Sequence, residues 1–183
     1  MQIHLEKSKF PYTGKELRPH FLLSRFRLQG DALAAWCGAC LVETDDLVDW
    51  EDRLANDHIR AGEMIHVIGE FFERTLREGV LFQRLLVATI QEELRARGVP
   101  VRRQGDDLFV AERKLSVSIV TSSPVSQLLH LGINIDPEGA PVAAIGLKEL
   151  GVEPFSFIQE ILGRAKQEWE DLTWACAKVK PMV

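Results

Sequence analysis

Arg103 to Ile135, RQGDDLFVAERKLSVSIVTSSPVSQLLHLGINI, is the stretch that decides the fold. It reads as three consecutive strands: Asp106-Asp107 enters the first, Lys114 starts the second, and Gly132-Ile133-Asn134 lies on the third. Within the second, Leu115, Val117 and Ile119 fall on one face and Ser116, Ser118 and Val120 on the other, the period of a strand. Ala111-Glu112-Arg113 supplies the first reversal. Ser122-Ser123-Pro124 supplies the second, where proline removes a ladder donor and fixes the turn. Strands arranged in this way expose Asp106, Asp107, Lys114, Ser116 and Asn134 side by side, a set able to hold an anionic ligand.

Upstream of this segment, residues 2–6 read as a strand and Glu16 to Leu28 as a short helix interrupted by Pro19. Ala32 to Glu43 is almost continuously apolar, as a strand covered on both faces must be. Thr44 to Leu54 opens on a capping residue and an acidic first turn, which predicts a helix. Gly62 to Leu76 carries Met64, Ile65, Ile68, Phe71 and Phe72 at helical spacing and is expected to be helical too. A longer helix follows from Val80 to Arg97 and stops at Gly98. Downstream, Gly146 to Leu150 forms a short helical turn. Glu153 to Ala175 is amphipathic, with Ile158, Ile161, Leu162, Ala165, Trp169 and Leu172 along one stripe. The order of strands, helices, hairpin strands and helix gives an α+β fold: a mixed, mostly antiparallel sheet with the long helices over one face.

A chain of 183 residues, 46% hydrophobic and 27% charged, buries a sizeable core and is expected to form a single domain over 1–183. The formal charge of −5 argues against a nonspecific nucleic-acid binder, although Arg95, Arg97, Arg102 and Arg103 form a local basic run at a helix end. No apolar stretch reaches the roughly 20 residues that span a bilayer. The segment MQIHLEKSKF has no apolar signal region, and the 3 cysteines fit a reducing compartment, so a cytoplasmic location is expected.

Cys37-Gly38-Ala39-Cys40 has redox spacing but falls within a strand, where side chains three apart face opposite sides; packing is the reading that fits. Asp45, Asp49 and Asp52 share one helical face, and Asp49, Glu51 and Asp52, with His66, are candidate oxygen and nitrogen ligands for a divalent metal. The same acidic run also stabilises a helix start without any metal. Lys114 enters a core-forming strand, where its ammonium can meet a carboxylate or phosphate as a point charge, or guard a sheet edge.

Gly105-Asp106-Asp107-Leu108, Arg113-Lys114-Leu115-Ser116 and Gly132-Ile133-Asn134-Ile135 together resemble the core of the biotin and lipoate protein ligases. That resemblance implies the fold shared with class II aminoacyl-tRNA synthetases. It implies that Lys114 contacts a substrate carboxylate and the α-phosphate of an acyl-adenylate, and that Asp107 acts with it. Asn134 would line the ligand pocket with Asp107. Beside what the resemblance implies, Asp106, Ser116, Arg103, His130 and Arg25 are candidates for completing that pocket; the sequence leaves the cofactor open, ATP with magnesium being compatible with the resemblance. Glu112 stands where those ligases have glycine, and their Gly- and Arg-rich acyl-phosphate loop has no counterpart in the first half of this chain. Over its whole length the chain is similar to a prokaryotic family catalogued as domain of unknown function 366. The motifs that carry this are Gly30-Asp31, Asp49-x-Glu51-Asp52, Gly105-Asp106-Asp107, Arg113-Lys114-Leu115-Ser116, Ser123-Pro124-Val125-Ser126 and the Ile145-to-Gly151 tail.

The function expected is binding of a small carboxylate or nucleotide-like ligand, with acyl or adenylyl transfer as the reaction. A non-catalytic ligand-binding module on the same fold and a metal-dependent enzyme using Asp49, Glu51 and Asp52 are the alternatives. The partner expected is a small molecule, with no membrane and no nucleic acid, and homodimerisation is compatible with the fold.

Overall fold

The structure, a computed structural model, describes residues 1–182. Among these, strand β1 (Gln2–Leu5) is followed by helix α1 (Phe21–Phe26), β2 (Ala32–Val42), α2 (Trp50–Leu54) and β3 (Ile59–Phe72). Helix α3 (Leu76–Ala96), β4 (Val101–Gln104), β5 (Asp107–Val110), β6 (Arg113–Lys114), β7 (Ser116–Ser122), β8 (Ser126–Asp136) and α4 (Pro154–Ala177) complete the chain. The main sheet has 5 strands in the order β1-β2-β3-β8-β7, and β4-β5-β6 form a second sheet of 3 strands. Only the β1–β2 pair in the main sheet is parallel, so the sheet is mixed and mostly antiparallel.

The segment Gly62 to Leu76, expected to be helical, is instead largely strand β3, which lies between β2 and β8 at the centre of the sheet. Its apolar residues face both ways: Ile65, Val67 and Phe71 enter one core, Met64 and Ile68 the other. A strand covered on both faces loses its alternation, and the near-continuous apolar run then also satisfies a helical template. The expected second strand of the hairpin is also divided. Arg113-Lys114 pairs with β5 in the small sheet, whereas Ser116–Ser122 pairs with β8 in the main one. Because the chain changes sheets at Leu115, that residue packs under the helices, while Val117 and Ile119 pack on the opposite face.

The long helices cover one face. Phe82, Leu86, Val87, Ile90 and Leu94 of α3 and Phe157, Ile158, Ile161 and Leu162 of α4 bury Leu33, Ala35, Ile65, Val67, Leu129 and Leu131 of the sheet. Both helices start on explicit caps. The Thr75 hydroxyl accepts from the Glu78 amide while the Glu78 carboxylate accepts from the Thr75 amide at 2.7 Å. The Glu153 carboxylate accepts from the amides of Phe155 and Ser156 ahead of a proline in the first turn of α4.

The other face is covered by the segment that follows β1. Tyr12 bonds along β2, its amide donating to Ala39 O at 2.9 Å and its carbonyl accepting from Leu41 N at 2.9 Å. Gly38 makes this possible, because a Cβ there would sit 1.8 Å from the Phe10 carbonyl oxygen. The strap places Tyr12 among Trp36, Met64 and Ile68, and leaves the β7 end of this face open. Cys37 and Cys40 lie in different cores and are both unpaired, and burial pushes the thiols up to about 11 and about 12.

Candidate functional site

Lys114 ends β6, and its backbone is tied on both sides. Its amide donates to Ala143 O at 2.9 Å, and its carbonyl accepts from Ile145 N at 3.0 Å and from the Asn134 side chain at 3.2 Å. Leu115 N donates to Leu108 O at 2.7 Å and Asn134 N to Leu115 O at 2.9 Å, so the small sheet, β8 and the 140–147 loop are fixed to one another around this residue. With its backbone held, the side chain has a defined reach. Its ammonium lies 2.9 Å from Asp107 Oδ2, and both side chains are about 30% exposed.

The pair lines a cavity of about 420 Å³ that also takes in Tyr12, Met64, Asp106, Val117, His130 and Asn134. Its outer wall is the α2 region with the loop of Ala140 to Ala144. Asp46, Asp49, Asp52, Asp57, Asp106 and Asp107 line it, with Lys114 and Arg60 as its permanent cations. Burial raises the Asp52 carboxyl above its ordinary range, helped by Asp49 and Asp57 and opposed by Lys114. Burial likewise raises Asp107, against the pull of the Lys114 ammonium.

The two adjacent aspartates differ in how much of their capacity is already used. Asp106 accepts from Gln83 Nε2 at 3.1 Å and from the Ser118 hydroxyl at 3.2 Å, and pairs with Arg84 at 3.2 Å. Asp107 has Lys114 as its ion-pair partner and keeps lone pairs for a ligand. Ser116 is fully occupied elsewhere: it is buried, and its hydroxyl accepts from Leu108 N at 3.0 Å, joining the two sheets.

Other expected residues lie apart. Arg103 is exposed on β4 and donates to Gly105 O at 3.1 Å. Arg25 is exposed on α1 with its guanidinium 4.6 Å from the centre of the Phe10 ring. The metal candidates Asp49, Glu51, Asp52 and His66 are not brought together. Glu51 is exposed outside the cavity, and His66 is buried in the sheet, bonded to His130 and to the Gly38 carbonyl. Among the described residues, no group of three or more His, Cys, Asp or Glu side chains is placed to hold a metal ion.

The expected list omits Tyr12 and Gln83. Gln83 left a trace in the sequence, being polar on the apolar stripe of α3 between Gly79 and Val87. Tyr12, the chain's 1 tyrosine, left none, because a strap residue has no periodicity to violate.

A mixed, mostly antiparallel sheet with long helices on one face is the fold of the biotin and lipoate protein ligases, the class II synthetase-like fold. The structure superposes on the Aquifex aeolicus biotin protein ligase in complex with biotin and ATP with a TM-score of 0.58, at 15% identity, over 90% of this chain and 69% of that one. For lipoate-protein ligase A bound with ATP the TM-score is 0.54, at 12% identity, over 92% and 85%. At these identities the likeness is one of fold. The chain belongs to the family described as Domain of unknown function (DUF366), whose model matches residues 1–180. A protein of unknown function from Pyrococcus horikoshi matches with a TM-score of 0.93, at 34% identity, over 99% of this chain and 100% of that one. An uncharacterized protein of Methanocaldococcus jannaschii is 31% identical over 190 residues, 100% of this chain and 86% of the relative. Among the described residues, no helix is long and apolar enough to cross a membrane.

Proposed function

We propose that this chain binds a small carboxylate or nucleotide-like ligand in the cavity beside Lys114, with acyl or adenylyl transfer as the reaction that binding serves. The observation that carries the reading is the Lys114 ammonium, held 2.9 Å from Asp107 in a cavity of about 420 Å³ that also reaches Asn134. A cation in a partly dehydrated cavity recognises a single carboxylate, and it stabilises negative charge that develops on the same atoms during acyl transfer. Asp107 keeps the ammonium oriented until a ligand carboxylate competes for it, and Asp106, tied to α3 and β7, holds the neighbouring backbone in place.

The donor set does not by itself fit a nucleoside triphosphate. Six aspartates against Lys114 and Arg60 would repel a polyphosphate unless a divalent cation, shared between one or two of those carboxylates and the phosphates, offset the charge. No step is therefore routed through ATP. The same charge imbalance favours a second reading, a ligand-binding module on a ligase-like fold. Titration calorimetry of a panel of short carboxylic acids and of AMP, repeated with Lys114→Ala, tests the binding. Release of pyrophosphate from ATP in the presence of each acid separates the enzyme from the module. Undiminished binding by the alanine variant removes Lys114 from the site.

A further inference from the structure

The cavity has a second polar end that the reading above does not use. On β8, His130 lies on the same face as Asn134, four residues away, about 13 Å along the strand. His130 is 3% exposed and Tyr12 4%; both line the cavity, and their rings stack with centroids 3.8 Å apart and planes 7° apart.

The protonation of His130 is dictated by a chain of hydrogen bonds that starts in the backbone. His66 Nε2 lies 3.2 Å from the Gly38 carbonyl oxygen, which can only accept, so Nε2 carries the proton. Burial keeps that ring neutral, its pKa lowered to about 4, which leaves Nδ1 as a lone pair. His130 Nε2 lies 3.2 Å from that Nδ1 and must therefore donate to it. Burial, with His66 alongside, holds His130 well below the usual histidine range as well. Its remaining nitrogen, Nδ1, is then an acceptor, and among the described residues no protein group donates to it. The Tyr12 hydroxyl likewise bonds no protein group among the described residues. Both rings are buried, but these two polar atoms open onto the cavity that the rings line, where a ligand can pair with them.

We propose that His130 and Tyr12 form a polar subsite that selects a ligand carrying an N–H donor beside a carbonyl at the end remote from its carboxylate. This inference rests on the reading of Lys114 as the carboxylate end. The ligand N–H donates to His130 Nδ1, and the Tyr12 hydroxyl donates to the ligand carbonyl. Met64, Val117 and Ile119 supply the apolar wall between the two ends. The class is a short carboxylic acid ending in an amide or ureido group, not one ending in a hydrocarbon or a disulfide ring.

Biotin, with a ureido ring, and lipoate, with a disulfide ring, are suitable probes, titrated by calorimetry into the wild-type protein, Tyr12→Phe and His130→Gln. Tyr12→Phe removes one hydroxyl and is the variant to rely on should the histidine variant fail to fold. Wild type is expected to prefer biotin by tenfold or more. Tyr12→Phe is expected to weaken biotin roughly tenfold, the worth of one such hydrogen bond, and to leave lipoate unchanged. Nitrogen-15 NMR of the histidine rings at neutral pH is expected to show both His66 and His130 protonated on Nε2. Equal affinity for the two acids, with Lys114→Ala abolishing both, overturns this inference and spares the carboxylate reading. A His130 proton on Nδ1 overturns it as well. If neither acid binds, the carboxylate reading fails and this inference with it.

Discussion

Replacing Lys114 by alanine is the perturbation that separates a ligand contact from a structural ion pair. The ammonium and the Asp107 carboxylate are 2.9 Å apart, but each side chain keeps about 30% of its surface in water. Solvent screening therefore limits the pair's contribution to folding to about 1 kcal/mol. A hydrogen bond from an ammonium to a bound carboxylate contributes about 1.5–3 kcal/mol, so losing it should weaken binding roughly 10- to 150-fold. The expected result is a large loss of affinity on a nearly unchanged fold. Its pH dependence has a definite sign. Asp107 is raised by burial despite Lys114, so the folded chain holds that proton more tightly than the unfolded chain does. The stability associated with it is present at low pH and is lost as pH rises through the raised value. Removing the ammonium raises the carboxyl further, so the variant's deficit should be smallest in acid and grow towards neutral pH. Chemical denaturation from pH 4 to pH 8, alongside calorimetric titration of a carboxylate panel, measures both effects. A deficit of several kcal/mol with unaltered binding would refute the reasoning, since the lysine would then serve the fold alone.

The buried histidines give a second, opposite dependence: His66, lowered to about 4, stays neutral while the unfolded ring takes up a proton. Stability should therefore fall by about 3 kcal/mol as pH drops from roughly 6.5 to 4, and His66→Phe should flatten that limb in a denaturation series. Gly38→Ala is expected to destabilise by about 3 kcal/mol or prevent folding, because its Cβ would lie 1.8 Å from a strap carbonyl that has nowhere to go. Gly132→Ala should cost less, about 1 kcal/mol, since its Cβ meets the mobile end of Met64 at 2.6 Å; thermal melts compare the two. Arg113→Ala should leave ligand affinity unchanged, because that guanidinium points to Glu149 at 2.7 Å and does not line the cavity, and calorimetry on the same panel checks this.

The α+β class, the two long helices and the hairpin strands were legible in the chain because each carries its own period or cap. Gly98 after α3 and the apolar stripe of α4 act within a few residues of themselves, so no distant partner is needed to read them, whereas the Thr75–Glu78 box starts α3 at Leu76, ahead of the expected Val80. The segment containing Met64, Ile68 and Phe71 was not legible in this way. Its helical spacing is an accident of being covered on both faces, and only its neighbours β2 and β8 decide that it is a strand.

The same division runs through the candidate site. The sequence by itself determined the family motifs, the adjacency of Asp106 and Asp107, and a lysine seven residues later just past a reversal, because hairpin geometry carries such spacings directly. Which aspartate meets the ammonium was decided only when β5 and β6 paired and Asp106 was drawn away by Gln83, Arg84 and Ser118. The stack of Tyr12 on His130, and the bond from His130 to His66, join a strap to two strands far apart in the chain. Side chains on separate segments have no shared period to betray them; a sheet register and a strap crossing set their distances, and those exist only in the folded molecule.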